Sequence, residues 1–286
     1  MKNADNDVLD DRRVARREMG PFASERAYFT ALLKPAIGFR VYGAGAIALG
    51  LVGVLWGDFA LVWQPVPSDI PGRQALAYLT AAAFLLAGVA VQWQRTARAG
   101  LVALSILYTL VVVLMHAPRV IAHPLDLSTW AGLAEQLALV AAGLAATAAP
   151  FAGERTSKRL LKTARVLFAL CLFLFGLVHF VYAAATASFV PKWLPPGQLF
   201  WAYLTGLAQW AACLAILSGV LANAAAKLLT VMFVVFSVLV HVPALFIASD
   251  HLSWAANAMN LAMIGAAWAI ADTFTTRPEN RRARHL

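Results

Sequence analysis

The run Val166-Leu167-Phe168-Ala169-Leu170-Cys171-Leu172-Phe173-Leu174-Phe175-Gly176-Leu177-Val178 holds no charged side chain and does not alternate apolar with polar residues. It lies inside a longer apolar stretch, 162–186, long enough at 1.5 Å per residue to cross a hydrocarbon core of about 30 Å. Backbone crossing lipid must satisfy its own hydrogen bonds, as a helix or as a closed barrel. The run is about twice the length of a barrel strand and lacks a period of two, so a helix is predicted. Working outward, seven more such runs fall at 36–62, 75–93, 99–121, 129–150, 199–221, 226–248 and 253–272. The fold class expected is all-α: a polytopic membrane protein of eight transmembrane helices.

Composition agrees. The 286 residues are 61% hydrophobic and 13% charged, with mean hydropathy +0.71, against roughly 25% charged residues in a soluble domain. The net charge of +9 could serve nucleic acid, but the basic residues lie in tails and short loops, and no nucleic-acid motif is present. The charge reads as topological. With the N-terminus inside, 20 of the 23 basic residues fall on the cytoplasmic side, and only Arg73, Arg119 and Lys192 fall outside. The positive-inside rule then places both termini in the cytoplasm, N-in and C-in. The first 35 residues offer Asp5, Asp7, Asp10 and Asp11, then Arg12, Arg13, Arg16 and Arg17, with no apolar core for a cleavable signal. Ser24 to Lys34 reads as a short interfacial helix. Cys171 and Cys213 show no CxxC spacing and are expected to be inert core thiols.

A shift of about 125 residues superposes the chain on itself. Arg40-Val41 pairs with Arg165-Val166, Pro71-Gly72 with Pro196-Gly197, Tyr78-Leu79-Thr80 with Tyr203-Leu204-Thr205, and His116-Ala117-Pro118 with His241-Val242-Pro243. Ordered Arg, Pro-Gly, Tyr-x-Thr and His-x-Pro landmarks predict a tandem duplication of a four-helix bundle, the two copies running parallel because four crossings return to the starting side. The organisation expected is a cytoplasmic tail over 1–35, a degenerate first repeat over 36–150, a linker over 151–161, a second repeat over 162–272 and a tail over 273–286.

The second repeat carries Val190-Pro191-Lys192-Trp193-Leu194-Pro195-Pro196, followed by Trp201-Ala202-Tyr203-Leu204-Thr205-Gly206 and later His241-Val242-Pro243. This resembles the signature of DoxX-like membrane proteins. The resemblance covers 165–272 and reaches 40–150 only through the repeat, where the loop has decayed to Pro65-Val66-Pro67-Ser68-Asp69-Ile70-Pro71. It implies a four-helix membrane unit in the inner membrane of a bacterial cell, associated with respiratory and thiol-stress redox systems, with quinone as a suspected ligand and a partner redox subunit in some members. Where relatives often have an acidic residue shortly after the Thr-Gly, this chain has Gln209, and its first copy has Phe84.

Independently of that resemblance, depth along the spans gathers polar residues into an outer layer. His179 lies about 21 Å above the cytoplasmic edge, and His116 and His241 about 22 Å. Tyr78 and Tyr203 enter about 6 Å from the outer side, Glu135 about 9 Å and Asn260 about 10 Å. Ionisable groups inside a membrane usually face the bundle interior, so these seven residues form the candidate ligand site, with a histidine expected to partner Glu135. Two readings stay open. Histidine and tyrosine donors beside aromatic faces suit a quinone headgroup, with haem as a weaker case and no metal-ligand spacing present. The other reading is structural: Pro118 and Pro243 free the carbonyls of Leu114 and Leu239, and an imidazole could cap them. Trp63 and its fellow indoles near the outer ends read as an aromatic belt, and Arg165 as a snorkelling residue. Three function classes remain: a redox-associated subunit, a small-solute transporter on parallel repeats, and a membrane scaffold for a partner enzyme. The inner half is almost wholly apolar, which favours the first.

Overall fold

Each apolar run becomes a helix because a lipid-embedded backbone has no other partner for its amides. The computed structural model describes residues 37–149 and 155–274. The eight helices long and apolar enough to cross a membrane are α1 (Ile37–Trp56), α2 (Arg73–Gln92), α3 (Ala97–Ala122), α4 (Leu127–Ala148), α5 (Arg155–Val181), α6 (Gln198–Ser218), α7 (Ala222–Ile247) and α8 (His251–Asp272). No strand occurs among the described residues. The interfacial helix expected at Ser24 to Lys34, the start of the linker and most of the C-terminal tail lie outside them. Two boundaries differ from expectation. Residues 155–161, read as linker, form the first turns of α5. The first span stops at Trp56, where Gly57 takes the left-handed region (φ +60°) and the chain dips into a short 3-10 turn, Leu61–Trp63.

The helices form a ring. Each packs on its neighbour in sequence, α8 closes back on α1, and α4 meets α8 across the middle. The fourth helix of each four-helix stretch therefore packs chiefly on the first helix of the other stretch: α4 on α5, and α8 on α1. The α1/α8 seam is nearly backbone on backbone. A Cβ at Gly265 would sit 2.1 Å from the Tyr42 amide nitrogen, and one at Gly45 would sit 2.4 Å from the Ala262 Cα. Small residues permit this approach, and between lipid-embedded helices such close packing is a main source of association energy.

The two stretches also share their local irregularities. α2 and α6 start 125 residues apart, α3 and α7 match at that offset at both ends, and α4 and α8 match at an offset of 124. Inside α3 and α7 a π-helical turn occurs at Val112–His116 and at Ser237–His241. The cause is the proline two residues on. Its ring would collide with the carbonyl four residues earlier, and widening the helix by one residue per turn moves that carbonyl aside. Asp126 and Asp250 accept hydrogen bonds from the Ser128 and Ser253 amides, both at 2.8 Å, and cap α4 and α8. Arg165 does more than snorkel. Its Nε donates to Thr273 Oγ1 at 2.9 Å and its guanidinium lies over the Phe274 ring at 4.0 Å, while Asn223 donates to the Ala271 carbonyl at 3.2 Å. With the Arg165 Nη2 bond to the Thr273 carbonyl at 2.5 Å, these contacts satisfy two carbonyls at the end of α8, those of Ala271 and Thr273.

Candidate functional site

The histidines of the outer layer sit in three separate surroundings. His116, at the end of the first π turn, is 3% exposed. Its Nε2 donates to the Trp63 carbonyl at 3.1 Å. The ring lies against Gly132 of α4, where a Cβ would come within 3.1 Å of it. One helical turn further along α4, the Glu135 carboxyl accepts from the Trp63 side chain. The histidine partner expected for Glu135 is thus replaced by an indole. Trp63, read as a belt residue, joins His116 through its carbonyl and Glu135 through its N–H. It reaches them because the Leu61–Trp63 turn folds inward, and the turn depends on Leu61 taking a positive φ of 47°, which no sequence pattern announces.

His241, at the end of the second π turn, is half-buried. Its backbone carbonyl accepts from Asn257 Nδ2 at 2.6 Å. Asn260, the third polar residue expected in this layer, donates to the Phe233 carbonyl at 3.0 Å and to Ser237 Oγ at 2.6 Å. Carbonyls at the irregular turn are therefore capped by asparagines of α8, and the imidazoles do not take the role of caps to Leu114 and Leu239. Asn257 was missed by the sequence reading; its spacing of three from Asn260 on one helix was the signal available.

His179 on α5 is the most engaged. Its Nδ1 lies 3.0 Å from the Ala202 carbonyl and 3.0 Å from Thr205 Oγ1, and its Nε2 lies 3.3 Å from Gln209 Nε2. Thr205 spends its own proton on the Trp201 carbonyl at 2.8 Å. Gly206 brings α6 close to α5 here, since a Cβ on it would meet His179 Cβ at 2.8 Å. Gln209 is 2% exposed and its Oε1 has no hydrogen-bond partner among the described residues. Beside this cluster runs an aromatic ladder: Tyr203 stacks on Phe180 (5.6 Å between centroids), Phe180 on Trp210 (4.6 Å) and Trp210 on Phe173 (6.0 Å). Tyr78 and Tyr203 themselves are 43% and 42% exposed. Both belong to the outer surface of the ring, and Tyr203 joins the cluster only as a wall.

The seven residues singled out by depth therefore divide. His116 and Glu135 meet through Trp63, Asn260 braces the turn that ends at His241, and His179 gathers Thr205 and Gln209. No group of three or more histidine, cysteine or acidic side chains suited to a metal ion occurs among the described residues. Cys171 and Cys213 are free and buried.

A family model for a domain of unknown function (DUF8561) matches residues 168–271, the stretch from α5 to α8 that contains His179, Gln209, His241 and Asn260. Neither the curated proteins nor the solved structures yield a match to the chain.

Proposed function

We propose that this chain is a DoxX-like protein of the bacterial inner membrane, two four-helix units in parallel tandem with both termini in the cytoplasm. Its second unit binds a quinone or similar lipid-soluble aromatic ligand for a redox process. The duplication reading rests on the shared helix bounds, the two proline-linked π turns and the two aspartate caps. The orientation rests on the basic residues, and reporter fusions at 63–74, 122–128 and 187–198 should report the outer side. An inside signal from the 187–198 loop would overturn the arrangement.

The ligand reading is carried by one observation: an apolar span contains a histidine, a threonine and a buried glutamine joined by hydrogen bonds, with a ladder of aromatic rings alongside. Polar groups at that depth are costly and are retained where they serve a site, and aromatic walls with a few convergent polar groups suit a planar ring. Purification in lipid nanodiscs followed by mass spectrometry of extracted lipids should recover a quinone-class molecule from the parent and much less from His179→Leu. Equal recovery from both, with unchanged thermal stability, would sink the reading.

A further inference from the structure

Among the buried polar groups, Gln209 Oε1 is set apart because its surroundings fix which atom it must be. The Ala202 carbonyl can only accept, so His179 Nδ1 must carry the proton that points at it. Thr205 Oγ1, on the same side of the ring, has two carbonyls within reach of its own proton, Trp201 at 2.8 Å and Ala202 at 3.1 Å, and so accepts from Nδ1 as well. No acidic side chain among the described residues hydrogen-bonds this imidazole; Thr205 and Gln209 are the polar side chains facing it from α6, and with no counter-charge at that depth the ring is held neutral. Its Nε2 is then a lone pair, and Gln209 must turn its NH2 toward it, as the 3.3 Å contact has it. The consequence is that the other end of the amide, the oxygen, faces a place where nothing donates to it. Gln209 lies 11 residues into α6, about 16 Å below the outer end, where water is scarce.

From this relay we infer that the second unit distinguishes between two forms of one ligand class: it binds the hydroxyl-bearing, reduced head of a lipid-soluble phenol or hydroquinone, with Gln209 Oε1 as the acceptor, and disfavours the oxidised carbonyl form. The inference rests on the ligand reading above and adds the redox form recognised. A quinone carbonyl brought to Gln209 Oε1 sets acceptor against acceptor, and the amide cannot rotate to help without breaking its bond to His179. A hydroxyl donates, and it completes the Gln209 acceptor. Sites built to pair with a hydroxyl reject analogues lacking it far more strongly than apolar pockets discriminate by size. The position is specific to the second unit, because 125 residues earlier the matching place on α2 holds Phe84.

The test uses the full chain in nanodiscs under anaerobic conditions. Three probes share one decyl side chain: the hydroquinone, its dimethyl ether and the corresponding benzoquinone, each quantified by equilibrium dialysis. The parent should bind the hydroquinone about tenfold or more tightly than either of the others, and Gln209→Met, which keeps the volume, should bring the three together. If Gln209→Met fails to fold, the parent's own preference still decides. Equal binding of hydroquinone and dimethyl ether, or tighter binding of the benzoquinone, overturns the inference while leaving the ligand reading intact. If none of the three binds, both fall.

Discussion

The interiors of the first and second four-helix stretches are filled in opposite ways. In the first, Tyr42 and Tyr108 lie 5.8 Å apart, Phe84 meets Tyr108 edge-on at 5.0 Å, and the Tyr42 hydroxyl donates to the Leu139 carbonyl at 3.0 Å. In the second, the positions 125 residues on are Leu167, Gln209 and Phe233, and the polar weight shifts to His179 and Gln209. Among the described residues, the Tyr108 hydroxyl in one interior and Gln209 Oε1 in the other are buried without a hydrogen-bond partner. The two are not equivalent. Tyr108 is a hydroxyl beside aromatic rings, whereas Gln209 is an acceptor whose direction is imposed by two successive hydrogen bonds, His179 to the Ala202 carbonyl and Gln209 to His179. The difference teaches that an unpaired buried group becomes informative about ligands only when its surroundings dictate its chemistry.

That contrast can be broken or sharpened by substitution. The largest effect is expected at the seam that holds both interiors in place: Gly265→Leu drives a side chain into the backbone of α1 and should cost more than about 4 kcal/mol, read as loss of monodisperse protein in detergent. A seam that tolerates leucine would show that the close approach of α1 and α8 is not what sets the frame. Next, Phe84→Gln transplants the amide of the second unit into the first without a histidine to meet it, and should destabilise by about 3 kcal/mol through lost packing and a buried unpaired amide. Scanning calorimetry would check this, and a neutral result would mean that the two interiors are interchangeable. Smaller effects of opposite sign separate the tyrosines. Tyr42→Phe should lose about 1 kcal/mol with its hydrogen bond, while Tyr108→Phe should be neutral or stabilising by up to about 1 kcal/mol, because no bond is lost.

The smallest effect is shared by the two units. The Asp126 carboxyl is held below the ordinary carboxylate range chiefly by the Ser128 side chain and amide, and that of Asp250 by the Ser253 amide and side chain. Because the folded state holds these protons less tightly than the unfolded one, their contribution is complete above about pH 4 and fades as pH falls through the lower folded values. Thermal midpoints should drop below about pH 4 in the parent and less steeply in the Asp126→Asn, Asp250→Asn double variant. Parallel curves would count against this assignment.

Much of the architecture was legible beforehand, since length and apolarity alone determine where lipid-crossing helices lie. Helix ends were read to within a few residues, except at Trp56, Arg155 and Val181: a left-handed Gly57 ends the first helix early, a basic stretch that looks like linker is helical, and the fifth span, expected to reach 186, stops at Val181. The place of each histidine along its helix was readable because each helix rises by a constant amount. Which of them share partners was not, because depth leaves rotation about the helix axis and the ring order undetermined. Trp63 is the sharpest case. Its inward reach comes from one positive φ in a proline-flanked loop, a backbone choice with no counterpart in hydropathy. Gln209 was noticed in sequence only as a departure from an acidic position, and its direction emerged only with the Ala202 carbonyl.

The closure of α8 onto α1 has a consequence for how the chain is ordered. The beginning of α1 lies beside the end of α8, since a Cβ on Gly38 would stand 2.6 Å from the Ala269 amide nitrogen, and the helix succession around the ring has no break at that seam. Order along the gene is then separable from order in space. A circularly permuted chain that begins at Arg155, runs to Leu286 and continues from Met1 to Glu154 would keep every helix between its present neighbours. It would exchange one covalent connection for another at the same face.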